Sequence, residues 1–190
     1  FEVTRALRYG VSGAMIDASA LPYEENVALT RRVVETAAAV GVQVEGELGH
    51  IGSVNDNAMD EFTNPAQAAD FAQKTGVAAL AVLVGNAHGR YKKPPKLDIA
   101  RIAEICEATG HLPLVLHGGT GIPDDQIVAA VKAGIRKINF GTDVCYSFLD
   151  AVFATSRDKV AIDLFMKDAI AAVKAFALTK IRLLGAENQA

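Results

Sequence analysis

The chain has 190 residues, 51% of them hydrophobic, with 19 basic against 22 acidic side chains and a formal charge of −3. That apolar content at this length suits one folded domain with a sizeable core and excludes a disordered chain. The slightly acidic balance lacks the basic excess that phosphate-backbone binding needs, so nucleic acid is not an expected partner. A membrane is not one either, because the longest wholly apolar run, Val77 to Val84, falls far short of the roughly 20 residues of a span.

In chain order, short β-rich runs alternate with longer segments of helical period. The expected strands are Ala14 to Asp17, Val42 to Leu48, Ala79 to Val84, Pro113 to His117 and Ile135 to Phe140. Between the first two, Tyr23 to Val40 carries Val27, Val33, Val34 and Ala37 at helical spacing, with Pro22 before it and Gly41 as a stop. His50 to Phe62 is a long polar connection that reads as a loop. Asn64 and Pro65 open a helix that ends at Gly76, Ile99 to Cys106 marks one that ends at Gly110, and Pro123 to Ala133 one that ends at Gly134. Val144 to Ala154 and Ile162 to Leu184 follow with no strand between them and read as closing helices.

Strands that are mostly apolar rather than alternating, each followed by a helix, predict a parallel sheet buried on both faces, hence an α/β fold. A doubly wound sheet and a (β/α)8 barrel both satisfy that pattern. The concentration of polar residues at strand ends (Asp17, Glu47, His88, His117, Asn139) points to a barrel rim, although five expected strands fall short of eight. Cys106 and Cys145 form no CxxC pair, which favours a reduced, cytoplasmic setting. The chain opens on Phe1 without the layout of a signal peptide, and residues 1–190 read as one domain cut at its N-terminus.

Two histidines, His88 and His117, each follow a buried strand and are flanked by glycine. A lone histidine in that position is ordinarily a hydrogen-bonded structural residue. Two on successive strands suit a shared divalent metal, zinc by its preference for nitrogen donors. Glu45, Glu47 and Asp17 are acids in or beside apolar strands and need either a metal or an ionic partner. Glu45 and Glu47 share one face by strand alternation. The Gly118 to Gly121 turn before Pro123, and the Asn139 to Asp143 turn one strand later, offer backbone donors and helix starts that suit a phosphate, unless they are simply tight turns.

Met15-Ile16-Asp17-Ala18-Ser19 with Leu21 to Asn26, Val44-Glu45-Gly46-Glu47-Leu48-Gly49, Gly85 to Lys92, Pro113 to Gly121 and Lys137-Ile138-Asn139 stand in one order along nearly the whole chain. Together they resemble the class II, metal-dependent ketose-bisphosphate aldolases of the fructose- and tagatose-bisphosphate type. The resemblance implies a TIM (β/α)8 barrel, present here as about strands four to eight. It also implies zinc held by histidines at the rim, His88 and His117 among them, with Asp17 and Glu47 matching acids that contact the metal in a more buried position. Gly89, Lys92, Gly118, Thr120, Asn139, Gly141 and Thr142 would hold the dihydroxyacetone phosphate part, and Gly89 and Gly118 would flank a monovalent cation, sodium or potassium.

The family's Leu-Asp-His-Gly motif, with its catalytic Asp and a further zinc histidine, is not in this sequence and would lie upstream of Phe1. In the loop Gly52-Ser53-Val54-Asn55-Asp56, Asn55 stands where the family has the proton-moving Glu, leaving Asp56 as the catalytic candidate. The implied activity is reversible cleavage of a ketose 1,6-bisphosphate, by a homodimer or homotetramer. A silent phosphate- or metal-binding homologue, or an aldolase for another ketose phosphate, is the alternative. This chain alone is expected to bind zinc weakly and to lack activity.

Overall fold

A computed structural model of the chain describes residues 2–49, 62–87 and 95–189. Helix α1 (Glu2–Arg8) leads into strand β1 (Gly13–Ile16), followed by α2 (Tyr23–Ala38), β2 (Gln43–Leu48), α3 (Pro65–Thr75), β3 (Ala79–Val82), α4 (Ile99–Ala108), β4 (Leu114–Leu116), α5 (Asp124–Ala133), β5 (Ile135–Ile138), α6 (Thr142–Ala154) and α7 (Ile162–Leu183). Each expected strand and helix is present. Helix α1 was not anticipated: it is seven residues long and buries none of them, so it leaves no apolar period to read.

All four strand pairings are parallel and the order is β1-β2-β3-β4-β5. Neighbours in space are neighbours in sequence, which is barrel winding; a doubly wound sheet would reverse direction at a switch point. The sheet is strongly curved. Lys137 on β5 and Glu45 on β2 are three strand spacings apart, about 14 Å in a flat sheet, yet their side chains meet at 2.7 Å across the inner face.

The two faces differ in kind. Val44, Gly46 and Leu48 of β2, Leu80 and Val82 of β3, and Leu114 and Leu116 of β4 face outward. There they pack with Phe71, Ile102, Ile105 and Ile127 of the helices. A methyl group on Gly46 would stand 3.0 Å from Val77 and 3.2 Å from Phe71, so glycine lets α2 and α3 close on the sheet. The intervening positions (Met15 and Asp17, Glu45 and Glu47, Ala79 and Ala81, Val115 and His117) face inward by strand alternation. On β5 a register shift of one residue between Leu114 and Val115 pairs Val115 with Lys137 and brings this lysine onto the inner face.

Side chains set some of the element ends. Strand β3 stops at Val82 rather than Val84 because the Thr63 hydroxyl accepts from Leu83 N and Asn86 Oδ1 accepts from Val84 N, taking both amides out of the ladder. Helix α2 stops two residues short of Val40, where Ala37 O receives the amides of Val40 and Val42 around left-handed Gly41. Asn64 caps α3 through Oδ1 to the amides of Ala66 and Gln67, as its place before Pro65 predicts. Among the described residues, no helix is long and apolar enough to cross a membrane.

Candidate active site

The C-terminal ends of β1, β2, β4 and β5 bring Asp17, Glu47, His117 and Asn139 to one rim. His117 is the hub. Its Nδ1 lies 3.1 Å from Glu47 Oε2 and its Nε2 lies 2.9 Å from Glu45 Oε1, with all three side chains at most 10% exposed. Lys137 Nζ donates to the other Glu45 oxygen.

The Ser19 hydroxyl stands 2.7 Å from Asp17 Oδ1 and 3.2 Å from Glu47 Oε1, which joins Asp17 to the same chain of polar groups. Hydrogen bonds donated to Glu45 and Glu47 hold the His117 imidazole protonated up to a pKa of about 9, against burial, which pulls it down. Burial pushes the Glu45 carboxyl up, but His117 and Lys137 outweigh it and keep the group below its usual range.

Buried amides and hydroxyls pin the backbone of this network. Asn86 Nδ2 donates to His117 O at 3.0 Å, Asn26 Nδ2 donates to Glu47 O at 3.0 Å, and the Thr30 hydroxyl holds the Asn26 amide oxygen. The Thr63 hydroxyl donates to Leu48 O while accepting from Leu83 N, tying β2 to β3 just past the ladder. Asn26 and Asn86 lie inside the quoted motifs, yet only burial marks them as braces. Thr63 carries no sequence signal beyond its place before a helix cap.

The two glycine-rich turns are laced together beside the hub. Gly119 N donates to Asn139 O, Asn139 N donates to Leu116 O, and Asp143 N donates to Thr120 Oγ1 at 3.3 Å. Gly118 and Gly121 are left-handed, at φ 66° and 73°. A Cβ on Gly119 would stand 2.6 Å from Ile138 and 3.0 Å from Asn139 O, so this position has no room for a side chain. Gly141 caps α6 and Thr142 begins it, which places the expected phosphate residues Gly118, Thr120, Asn139, Gly141 and Thr142 within one pair of connected turns. His88, Gly89, Lys92, Asp56 and Asn55 lie outside the described residues. Among the described residues, no group of three or more His, Cys, Asp or Glu side chains is gathered closely enough to hold a metal ion.

Comparison with known proteins agrees with this geometry. Residues 2–189 match the family model described as fructose-bisphosphate aldolase class-II. The D-tagatose-1,6-bisphosphate aldolase subunit GatY of Klebsiella oxytoca is 39% identical over 196 residues, which cover 99% of this chain and 69% of GatY. A fructose-bisphosphate aldolase of Geobacillus stearothermophilus is 40% identical over 195 residues, 97% of this chain and 66% of that protein. The crystal structure of the YdjI aldolase from Escherichia coli K12 superposes with a TM-score of 0.88 at 36% identity, covering 99% of this chain and 66% of YdjI. This chain thus spans about two thirds of the length of these relatives. With a parallel barrel-type sheet, a histidine hub at the strand ends and a family model matched over residues 2–189, the chain belongs to the class II fructose-bisphosphate aldolase family.

Proposed function

We propose that this chain carries the metal- and phosphate-binding rim of an aldolase that reversibly cleaves a ketose 1,6-bisphosphate, fructose or tagatose, to dihydroxyacetone phosphate and an aldehyde phosphate. The observation that supports it is His117 set between two buried carboxylates, next to two laced turns rich in backbone donors. In this reading the five strands are barrel strands four to eight, and the chain acts in a cytoplasmic homodimer or homotetramer.

Zinc fits the donor chemistry of the hub. An imidazole nitrogen and a carboxylate oxygen, His117 Nδ1 and Glu47 Oε2, converge at the rim, and a divalent cation would balance the negative charge of Glu45, Glu47 and Asp17. His88 is the further ligand in this proposal. When bound, such a metal supplies a Lewis acid for the negative charge that carbon–carbon cleavage leaves on the ketone half.

The chain's own residues bind and orient the substrate. Amides of the α6 start and of the Gly118 to Gly121 turn other than that of Gly119, with the Thr120 and Thr142 hydroxyls, take the phosphate and set the substrate's orientation against His117. Asn86 and Asn26 keep the strand ends from drifting, so the distance between phosphate turn and hub is fixed before substrate arrives. The proton transfers at carbon fall to the loop candidate Asp56.

The test is release of dihydroxyacetone phosphate from fructose and tagatose bisphosphates by the natural protein, with and without zinc. Zinc-dependent turnover abolished by His117→Ala is the expected result. Stoichiometric zinc uptake with no turnover on any ketose phosphate would overturn the enzyme reading in favour of a silent binding homologue.

A further inference from the structure

The inner face of the sheet holds one carboxylate that the proposed chemistry uses only for its charge. Glu45 precedes Glu47 by two residues on the same face of β2, so its side chain starts about 6.7 Å deeper in the sheet. Both of its oxygens are engaged: Oε1 lies 2.9 Å from His117 Nε2, and Oε2 receives Lys137 Nζ at 2.7 Å. Ala79 and Ala81, on the intervening strand β3, leave room for that crossing. Glu47 differs from it, lying at the rim beside Ser19 and facing the other ring nitrogen.

We infer that Glu45, clamped by Lys137, is a positioning residue that locks the His117 ring with Nε2 turned into the barrel and Nδ1 turned to the rim, so that Nδ1 is the nitrogen offered to a divalent cation. The inference rests on the metal-dependent reading above and adds to it the identity of the donor atom and the device that selects it. A ring bonded to metal through one nitrogen gains basicity and a fixed orientation when the other donates to a carboxylate. A lone carboxylate on a flexible side chain would do this loosely. The 2.7 Å bond from a second strand removes that freedom. The backbone at the same residue is held independently by Asn86, so the strand end that carries the imidazole is fixed as well.

The experiment uses the full chain, titrated with Zn2+ alone by calorimetry, alongside 15N–1H correlation spectra of the histidine rings. In the zinc-loaded wild type, His117 is expected to carry its proton on Nε2 with Nδ1 metal-bound. Glu45→Gln is expected to keep its circular dichroism while zinc affinity falls roughly 10- to 100-fold. Lys137→Met leaves the Glu45–His117 contact in place, so it should weaken zinc by less than Glu45→Gln and keep the same tautomer.

A proton on Nδ1 with zinc at Nε2, or an unchanged affinity in folded Glu45→Gln, overturns the inference. Should Glu45→Gln not fold, the wild-type spectrum and Lys137→Met decide alone. Should the wild-type chain take up no zinc, the zinc-dependent turnover assay above judges the metal-dependent reading separately. The neutral ring of the metal-free chain then decides the positioning: Nε2–H supports it and Nδ1–H overturns it.

Discussion

His117 Nε2 and Glu45 Oε1 lie 2.9 Å apart on the inner face of the sheet, and this pair couples stability to pH. The His117 pKa is raised from 6.5 to about 9, chiefly by its hydrogen bonds to Glu45 and then Glu47. A raised histidine adds stability that is complete below 6.5 and is lost as pH climbs through about 9. Glu45 is lowered from 4.5, so its share is present above that value and is lost as pH falls further. Thermal melts of the chelated chain should therefore peak between these limits, near pH 5 to 6, and decline toward pH 9. Saturating zinc should flatten the alkaline decline, because metal replaces the proton on the ring. A melting temperature unchanged from pH 6 to pH 9.5 in chelator would contradict the pairing.

The Asn86 side chain bridges two strands' ends, accepting from Val84 N and donating to His117 O, at 3% exposure. Replacing it by Ala removes both of these buried hydrogen bonds and should cost about 2–3 kcal/mol. Asn86→Asp keeps the acceptor but turns a buried carboxylate toward the His117 carbonyl, so it should be at least as damaging as Ala. Urea unfolding reads this as a lower midpoint at constant slope.

Most of the fold was legible because the outward positions are apolar at the right period. Leu80, Val82, Leu114 and Leu116 mark strands, and Ile102 and Ile105 mark a helix. What periodicity does not carry is the use of side chains in place of backbone partners. Thr63 and Asn86 end β3 early by taking its amides, and a threonine or asparagine looks the same in sequence whether it caps, braces or faces water. The site was legible as residue types at strand ends. The need of Glu45 for a metal or an ionic partner was legible too, but the partner was not, because it depends on the curvature that brings Lys137 from β5 across to β2, a long-range relation absent from local spacing.

Two glycines of the phosphate turns should respond oppositely to alanine. At Gly119 the new methyl would meet Ile138 at 2.6 Å and the carbonyl of Asn139 at 3.0 Å, and backbone cannot rotate away. Gly119→Ala is expected to destabilise by about 1–3 kcal/mol. It should also weaken phosphate binding, because it forces apart the β4–α5 and β5–α6 turns. At Gly141, φ is −95° and no atom lies within 4 Å of the added carbon. Gly141→Ala keeps the amide that the phosphate needs, so melting temperature and phosphate affinity should both stay near wild type. Equal damage from the two substitutions would mean that the turn is not packed as described.

Ser19 tests whether Asp17 belongs to the hub or merely lies beside it. Its hydroxyl has one proton and two carboxylates within reach, Asp17 Oδ1 at 2.7 Å and Glu47 Oε1 at 3.2 Å, so it serves them in turn and holds them together. The Ser19 amide also donates to Asp17 Oδ1, and that bond survives Ser19→Ala, so the turn should keep its shape and stability should change by less than about 0.5 kcal/mol. The two acids, by contrast, lose the group that offsets their mutual repulsion. If both lie close to a bound cation, zinc affinity should drop roughly tenfold, as when a supporting hydrogen bond to a ligand is removed. If Glu47 alone approaches the cation, freeing it from Ser19 should leave affinity unchanged or slightly higher. Calorimetric titration of Ser19→Ala with Zn2+ separates the two cases by sign, and it does so without any assay of turnover.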